Sequence, residues 1–165
     1  MAFMLNIYAF ATDTVYGLGA PCHDVPAIDY LYLLKQRPDS QPMQILVASR
    51  AMAESLVQID SSQSIDAQTR IYPAREDAVI DRRLIANGGI GLRLPNHQAL
   101  QGYIENLGVP LAATSANLRG EAALCSAESV QTVFPDVPIV VAGDCRGGVG
   151  SEIWDMREQP PKRLR

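Results

Sequence analysis

Short apolar runs alternate along this chain with segments whose apolar residues recur at helical spacing. That alternation constrains the fold more than any other feature. Ile7-Tyr8-Ala9-Phe10-Ala11, Ile45-Leu46-Val47, Ile90-Gly91-Leu92-Arg93-Leu94, Leu111-Ala112-Ala113-Thr114 and the stretch from Pro138 to Ala142 read as strands. Between the first two, Val25 to Gln36 carries Ile28, Leu31 and Leu34 on one face, with Asp24 placed to cap it and Pro38 to stop it. Ala51 to Gln58, Ser64 to Arg70, Gln98 to Leu107 and Ser126 to Phe134 read as further helices, Gly108 standing where a helix needs a left-handed residue. Thr12 to Pro21 reads as a Thr/Gly loop and Asp144 to Ser151 as a Gly-rich loop, while Ile71 to Ile80 has no clear period. Strands alternating with helices make an α/β domain.

With 165 residues, 47% hydrophobic and 19% charged, residues 1–165 read as one globular domain; disorder and coiled coil are excluded. No apolar run approaches the ~20 residues that span a bilayer, so no membrane association is expected. Met1 to Ala11 is apolar but has no basic residue before Lys35, so it reads as a core strand rather than a leader. The three cysteines, Cys22, Cys125 and Cys145, are odd in number and widely spaced, which fits a reducing cytoplasm. Cys22-His23-Asp24 has no second ligand pair at metal spacing, so no metal site is expected.

A net charge of −4 argues against a protein that grips nucleic acid over its whole surface. Of the 14 basic residues only Lys35 and Lys162 are lysine. Arginine is preferred where planar, bidentate contact with phosphate or carboxylate matters, so a small anionic ligand in a pocket is the expectation. Three polar segments mark where it would sit: Thr12 to Gly17, Lys35 to Pro38, and Thr114 to Asn117. In open α/β sheets ligands gather in loops at strand ends.

Taken together these segments resemble the YrdC/TsaC-type threonylcarbamoyl-AMP synthase family. The resemblance rests on Ala11-Thr12-Asp13-Thr14-Val15-Tyr16-Gly17-Leu18, Lys35-Gln36-Arg37-Pro38, Leu92-Arg93-Leu94-Pro95, Thr114-Ser115-Ala116-Asn117 with Gly120, and Ser151-Glu152-Ile153-Trp154-Asp155 followed by Arg165, in order over nearly the whole chain. It implies a twisted mixed open sheet flanked by helices, with one wide concave groove. It also implies synthesis of threonylcarbamoyl-AMP from L-threonine, bicarbonate and ATP, with Mg²⁺ carried by ATP, and pyrophosphate as the other product. The product would serve tRNA modification, with tRNA or tRNA-modification proteins as partners.

Carried over residue by residue, the resemblance makes Lys35, Arg37, Ser115 and Asn117 the catalytic and nucleotide-binding set. Lys35 and Arg37 would neutralise the triphosphate, and Ser115 and Asn117 would add neutral donors. Thr14 and Arg93 would hold threonine, Arg93 through a bidentate carboxylate pair. Ser151 and Arg165 also belong to the nucleotide-binding set and would close over the ligands, the tail ordering as ATP binds; the other reading of Arg165 is an ordinary frayed chain end. Lys35 and Arg37 are expected at a helix end where truncation costs little packing. The family's Trp-Pro-Gly-Pro segment before a strand finds its counterpart at Tyr72-Pro73-Ala74-Arg75-Glu76-Asp77, whose two carboxylates would repel a polyanion unless they turn outward. Two other functions stay open on the residues: a nucleotide-binding paralogue without turnover, motivated by that segment, and an RNA-binding module on the same fold.

Overall fold

The computed structural model describes residues 5–148 and 150–165. Met1 to Met4, part of the expected first strand, and Val149 of the Gly-rich loop lie outside the described residues. Among the described residues nine strands form one mixed sheet: β1 Tyr8–Phe10, β2 Gly17–Pro21, β3 Gln44–Leu46, β4 Thr69–Pro73, β5 Gly89–Arg93, β6 Leu111–Ser115, β7 Ile139–Val141, β8 Ile153–Asp155 and β9 Lys162–Arg163. Their order across the sheet is β7-β1-β2-β6-β3-β5-β4-β8-β9. The helices are α1 Val25–Leu34, α2 Arg50–Glu54, α3 Gln98–Leu107 and α4 Ala127–Val133.

The pleat sorts side chains to two faces. Ala9, Ile45 and Ala112 point into one core cluster with Ile28 and Leu31 of α1 and Val130 of α4. Their strand neighbours Phe10, Leu46, Leu111 and Ala113 point the other way, where Leu100 and Ile104 of α3 pack on them. The part of this second face that helices leave uncovered is a groove.

Local signals set several boundaries. Asp24, Ser49, His97 and Ser126 each accept a backbone N–H at a helix start. Gly108 closes α3 in the left-handed conformation at φ 75°. The first helix stops at Leu34, two residues before the expected Gln36, because Gln36 turns left-handed at φ 47°.

Three expectations are corrected. Within the expected Thr/Gly loop, Gly17–Pro21 is a fully buried strand paired with both β1 and β6. Its glycines hide the strand pattern, but they leave space for the Phe10 ring: a Cβ at Gly17 would lie 2.5 Å from Phe10 Cε2. The expected helix from Ser64 to Arg70 does not form. The Asp66 carboxylate accepts from the Gln68 N–H and from Arg70, a turn that competes with helix, and strand β4 begins at Thr69. The helix expected over Ala51 to Gln58 is only Arg50–Glu54, since Val57 forms a bridge with Ala74. Strands β8 and β9 have no counterpart in the periodicity. Among the described residues no helix is long and apolar enough to cross a membrane.

Two glycines test this packing in opposite directions. A Cβ at Gly19 would lie 2.8 Å from the Ala112 carbonyl oxygen, a backbone atom that cannot step aside, and 2.9 Å from Phe10. Gly19→Ala is expected to cost about 1–3 kcal/mol by overpacking. Gly102, inside α3, has open space where a Cβ would go. Gly102→Ala is expected to gain roughly 0.5–1 kcal/mol. Urea unfolding midpoints of the two variants check both signs.

Candidate active site

The uncovered groove is a cavity of about 620 Å³. One end is built where α1 stops and β6 turns. Lys35, at the C-cap of α1, is only 8% exposed. Its Nζ donates to the Ser115 carbonyl at 2.9 Å, to the Asn117 carbonyl at 2.6 Å and to Asn117 Oδ1. Ser115 Oγ donates to the same Oδ1 at 2.8 Å, and Asn117 Nδ2 donates to the Glu121 carbonyl at 2.8 Å. These bonds fix the Asn117 amide. They also engage the Ser115 proton, so donation to a phosphate requires that hydroxyl to rotate.

Burial, reinforced by the like charge of Arg37, lowers the Lys35 ammonium to about 8. Arg37 lines the cavity and is held by the carbonyls of Gln41 and Pro42, each at 2.6 Å. Lys35 itself does not line the cavity; it lies beneath the Ser115–Asn117 turn. The expectation that its truncation costs little packing is therefore corrected. Removing it would leave acceptors unpaired at about 1–3 kcal/mol.

The other end is organised by Arg93, 3% exposed. Its Nε donates to the Ala67 carbonyl at 2.9 Å, and its Nη2 to Asp13 Oδ1 at 2.6 Å and Thr14 Oγ1 at 3.2 Å. The motif pair Thr14 and Arg93 thus meet, and Asp13, to which the sequence reading assigns no role, is the ion partner. Burial pulls the Arg93 pKa down while Asp13 opposes it. Nη1 makes no hydrogen bond among the described residues. A carboxylate therefore finds Nη1 open, and a two-pronged grip must displace Thr14 or Asp13.

Ser151 and Arg165 complete the rim. The Ser151 hydroxyl, 8% exposed, bonds Thr69 Oγ1 at 2.8 Å. Arg165 Nη2 donates to the Ser151 carbonyl at 3.0 Å. The tail course is set by strand pairing: β9 lies antiparallel to β8, and Ile153 exchanges backbone bonds with Leu164 and Arg165. This corrects the expectation that ATP alone would order it. The rim also carries an unanticipated pair, Asp155 with Arg157 at 2.7 Å, whose Arg157 Nη1 donates to the Asn87 carbonyl.

Other candidates fall away from the groove. β4 already spans Tyr72 and Pro73, so the counterpart expected before a strand lies partly within one. The carboxylates that follow turn outward: Glu76 is exposed, and Asp77 pairs with Arg75 at 2.8 Å. Arg83 pairs with Asp29 and Asp81, each at 2.6 Å. Trp154 and Arg146 do not line the cavity, and Trp154 Nε1 bonds Glu152. Burial pushes the Cys22 thiol up to about 12, which suits a packing residue.

Comparison with known proteins gives three findings. A family model named Sua5_yciO_yrdC, described as "Telomere recombination", matches residues 6–165. The threonylcarbamoyl-AMP synthases of Pyrococcus abyssi and Bacillus subtilis are 32% and 31% identical to this chain, each over 97% of it and over 50% and 49% of their own lengths. The chain thus spans about half the length of these curated relatives. The crystal structure of P. abyssi Sua5 complexed with L-threonine superposes with a TM-score of 0.85 at 30% identity, covering 97% of this chain and 50% of that one.

The titration of Lys35 predicts how anion binding depends on pH. Only the ammonium form attracts phosphate, and bound phosphate favours that form. Affinity for inorganic pyrophosphate is therefore expected to be full below pH 8, and to decline as pH rises through about 8. Calorimetric titrations between pH 6.5 and 9.5 check this, and Lys35→Met should flatten the profile.

Proposed function

The chain belongs to the Sua5/YciO/YrdC family, and from that premise we propose that it makes threonylcarbamoyl-AMP from L-threonine, bicarbonate and ATP, releasing pyrophosphate. The observation that carries this reading is the meeting, in one cavity, of Arg37, Ser115 and Asn117 at one end with Thr14, Arg93 and Ser151 at the other. The first set suits a polyphosphate, the second an amino acid.

The threonine amine adds to bicarbonate, water leaves, and a carbamate forms. A carbamate oxygen then attacks the α-phosphorus in line. The bond from that phosphorus to the bridging oxygen breaks, and pyrophosphate departs. No enzyme nucleophile is needed, so catalysis is positioning and charge stabilisation. Arg37 and Arg165 face the phosphates, with Lys35 adding its charge from beneath Asn117. Arg93 Nη1 takes the threonine carboxylate, and Thr14 and Ser151 flank it. Mg²⁺ enters on ATP as part of the substrate; among the described residues no cluster of three His, Cys, Asp or Glu is placed to hold a metal. The product then passes in the cytoplasm to tRNA-modifying proteins, or to tRNA itself.

The motive for a paralogue without turnover weakens, because Glu76 and Asp77 turn away from the groove. The net charge of −4 weighs against the RNA-binding module.

The test is pyrophosphate release that needs both threonine and bicarbonate. Arg37→Ala is expected to lower kcat/KM for ATP by at least about tenfold, since a charge-assisted contact is worth roughly 1.5–3 kcal/mol. Threonine is expected to exceed serine by about 10–200-fold, the worth of one methyl group. Binding of ATP without release when both co-substrates are present would reject the synthase reading. Equal use of glycine, serine and threonine would reject the amino-acid pocket.

A further inference from the structure

Gln44 is a polar residue in an otherwise apolar strand. Its neighbours Met43 and Ile45 belong to the core cluster beneath the sheet, so Gln44 faces the groove, which it lines. Beside it on β5 the parallel register places Gly91, next to the Leu92 that pairs with Ile45. With no side chain at 91, Thr69 of β4 reaches across β5. Its Oγ1 donates to Gln44 Oε1 at 2.7 Å and bonds Ser151 Oγ at 2.8 Å. A Cβ at position 91 would stand 3.3 Å from Thr69 Cγ2.

Thr69 has one hydroxyl proton. Given to Gln44 Oε1, it leaves the Thr69 oxygen to accept from Ser151. In this arrangement the Gln44 amide has Oε1 toward Thr69 and Nε2 away from it. That Nε2 makes no hydrogen bond among the described residues. β3 lies between β6, which carries Ser115, and β5, which carries Arg93. A neutral donor thus stands on the floor between the phosphate end and the amino-acid end.

The group that must lie between the threonine amine and the α-phosphate is the carbon derived from bicarbonate. We propose that Gln44 Nε2 donates to a carbamate oxygen and orients the carbamate for attack, with Thr69 as the positioning residue that fixes the amide. This assignment rests on the synthase reading. A neutral donor fits that position: it holds the oxygen that becomes the carbonyl of the product without an ion pair that would dull the oxygen that attacks.

The experiment compares wild type with Gln44→Met, which keeps the length without the donor, and Gln44→Glu, which puts an anion in its place. Two readouts are taken: the bicarbonate dependence of pyrophosphate release at saturating ATP and threonine, and calorimetric binding of N-carbamoyl-L-threonine against L-threonine. Gln44→Met is expected to raise the bicarbonate KM, and to weaken the carbamoyl compound, each by about tenfold or more. Threonine and ATP affinities should stay within about twofold, which also shows that the fold is intact. Gln44→Glu should do more. Thr69→Val should move the bicarbonate KM the same way, and Thr69→Ser, which keeps the hydroxyl, should restore it.

Unchanged bicarbonate dependence and equal affinity for the carbamoyl compound would overturn the assignment while leaving the synthase reading standing. A wild type that releases no pyrophosphate would sink the synthase reading, and the binding comparison then decides Gln44 alone. A wild type that binds neither threonine nor its carbamoyl derivative overturns both.

Discussion

The buried ammonium of Lys35 ties the end of α1 to the turn after β6, and one whole end of the groove depends on that tie. Taking a charge out of water is expensive unless it is hydrogen-bonded. Here the two carbonyls of residues 115 and 117 and the Asn117 amide oxygen supply the bonds. The same bonds orient Asn117 and engage Ser115, so one lysine sets both polar groups that face the cavity. Its charge is felt there through the turn rather than by contact.

Arg93 solves the opposite problem at the other end. A guanidinium almost wholly shielded from water would be costly alone, and Asp13 offsets that cost at 2.6 Å. The ion pair leaves Nη1 as the open edge, and Thr14 and Thr12 continue the polar network at 3.1 Å. An incoming carboxylate must share the arginine with Asp13, which moderates affinity and favours release. Arg37 and Arg165, held by neutral carbonyls, keep their charge for a ligand.

The positions of these groups are legible in the sequence because charged and hydroxyl residues follow strands at fixed places: Thr14 after β1, Arg93 ending β5, Ser115 ending β6. Their partners are not. Asp13 sits inside the motif, but its pairing with Arg93 crosses 80 residues. Gln44 and Thr69 become partners only because Gly91 is bare, a fact of register across three strands that no local window contains. The Gly17–Pro21 strand reads as a loop because glycine carries no pattern; its reason is the Phe10 ring packed over it. The outward turn of Glu76 and Asp77 depends on β4 running through Pro73, which the helix expected over Ser64 to Arg70 obscures. Strands β8 and β9 are too short to show a period, and their pairing is with each other and with β4.

The distribution of donors along the groove bears on the proposed synthase reaction. Arg37 stands at one end and Arg93 at the other, neutral amide and hydroxyl groups line the floor between them, and Arg165 on the rim is near enough to both to lower their pKa values. Two unit charges about 4 Å apart interact by ~1 kcal/mol in water and ~4 kcal/mol at a protein-like dielectric of about 20. A cation beside the carbamate would gain that energy in the ground state. It would lose part of it as the attacking oxygen gives its charge to the bond with phosphorus. Such an interaction binds substrate more tightly than transition state and slows the step. A cation beside the departing pyrophosphate does the reverse, because negative charge grows there as the bond to phosphorus breaks. A neutral floor under the carbamate, with Arg37 where the phosphates would lie, is therefore the order that the proposed in-line attack on a nucleotide demands.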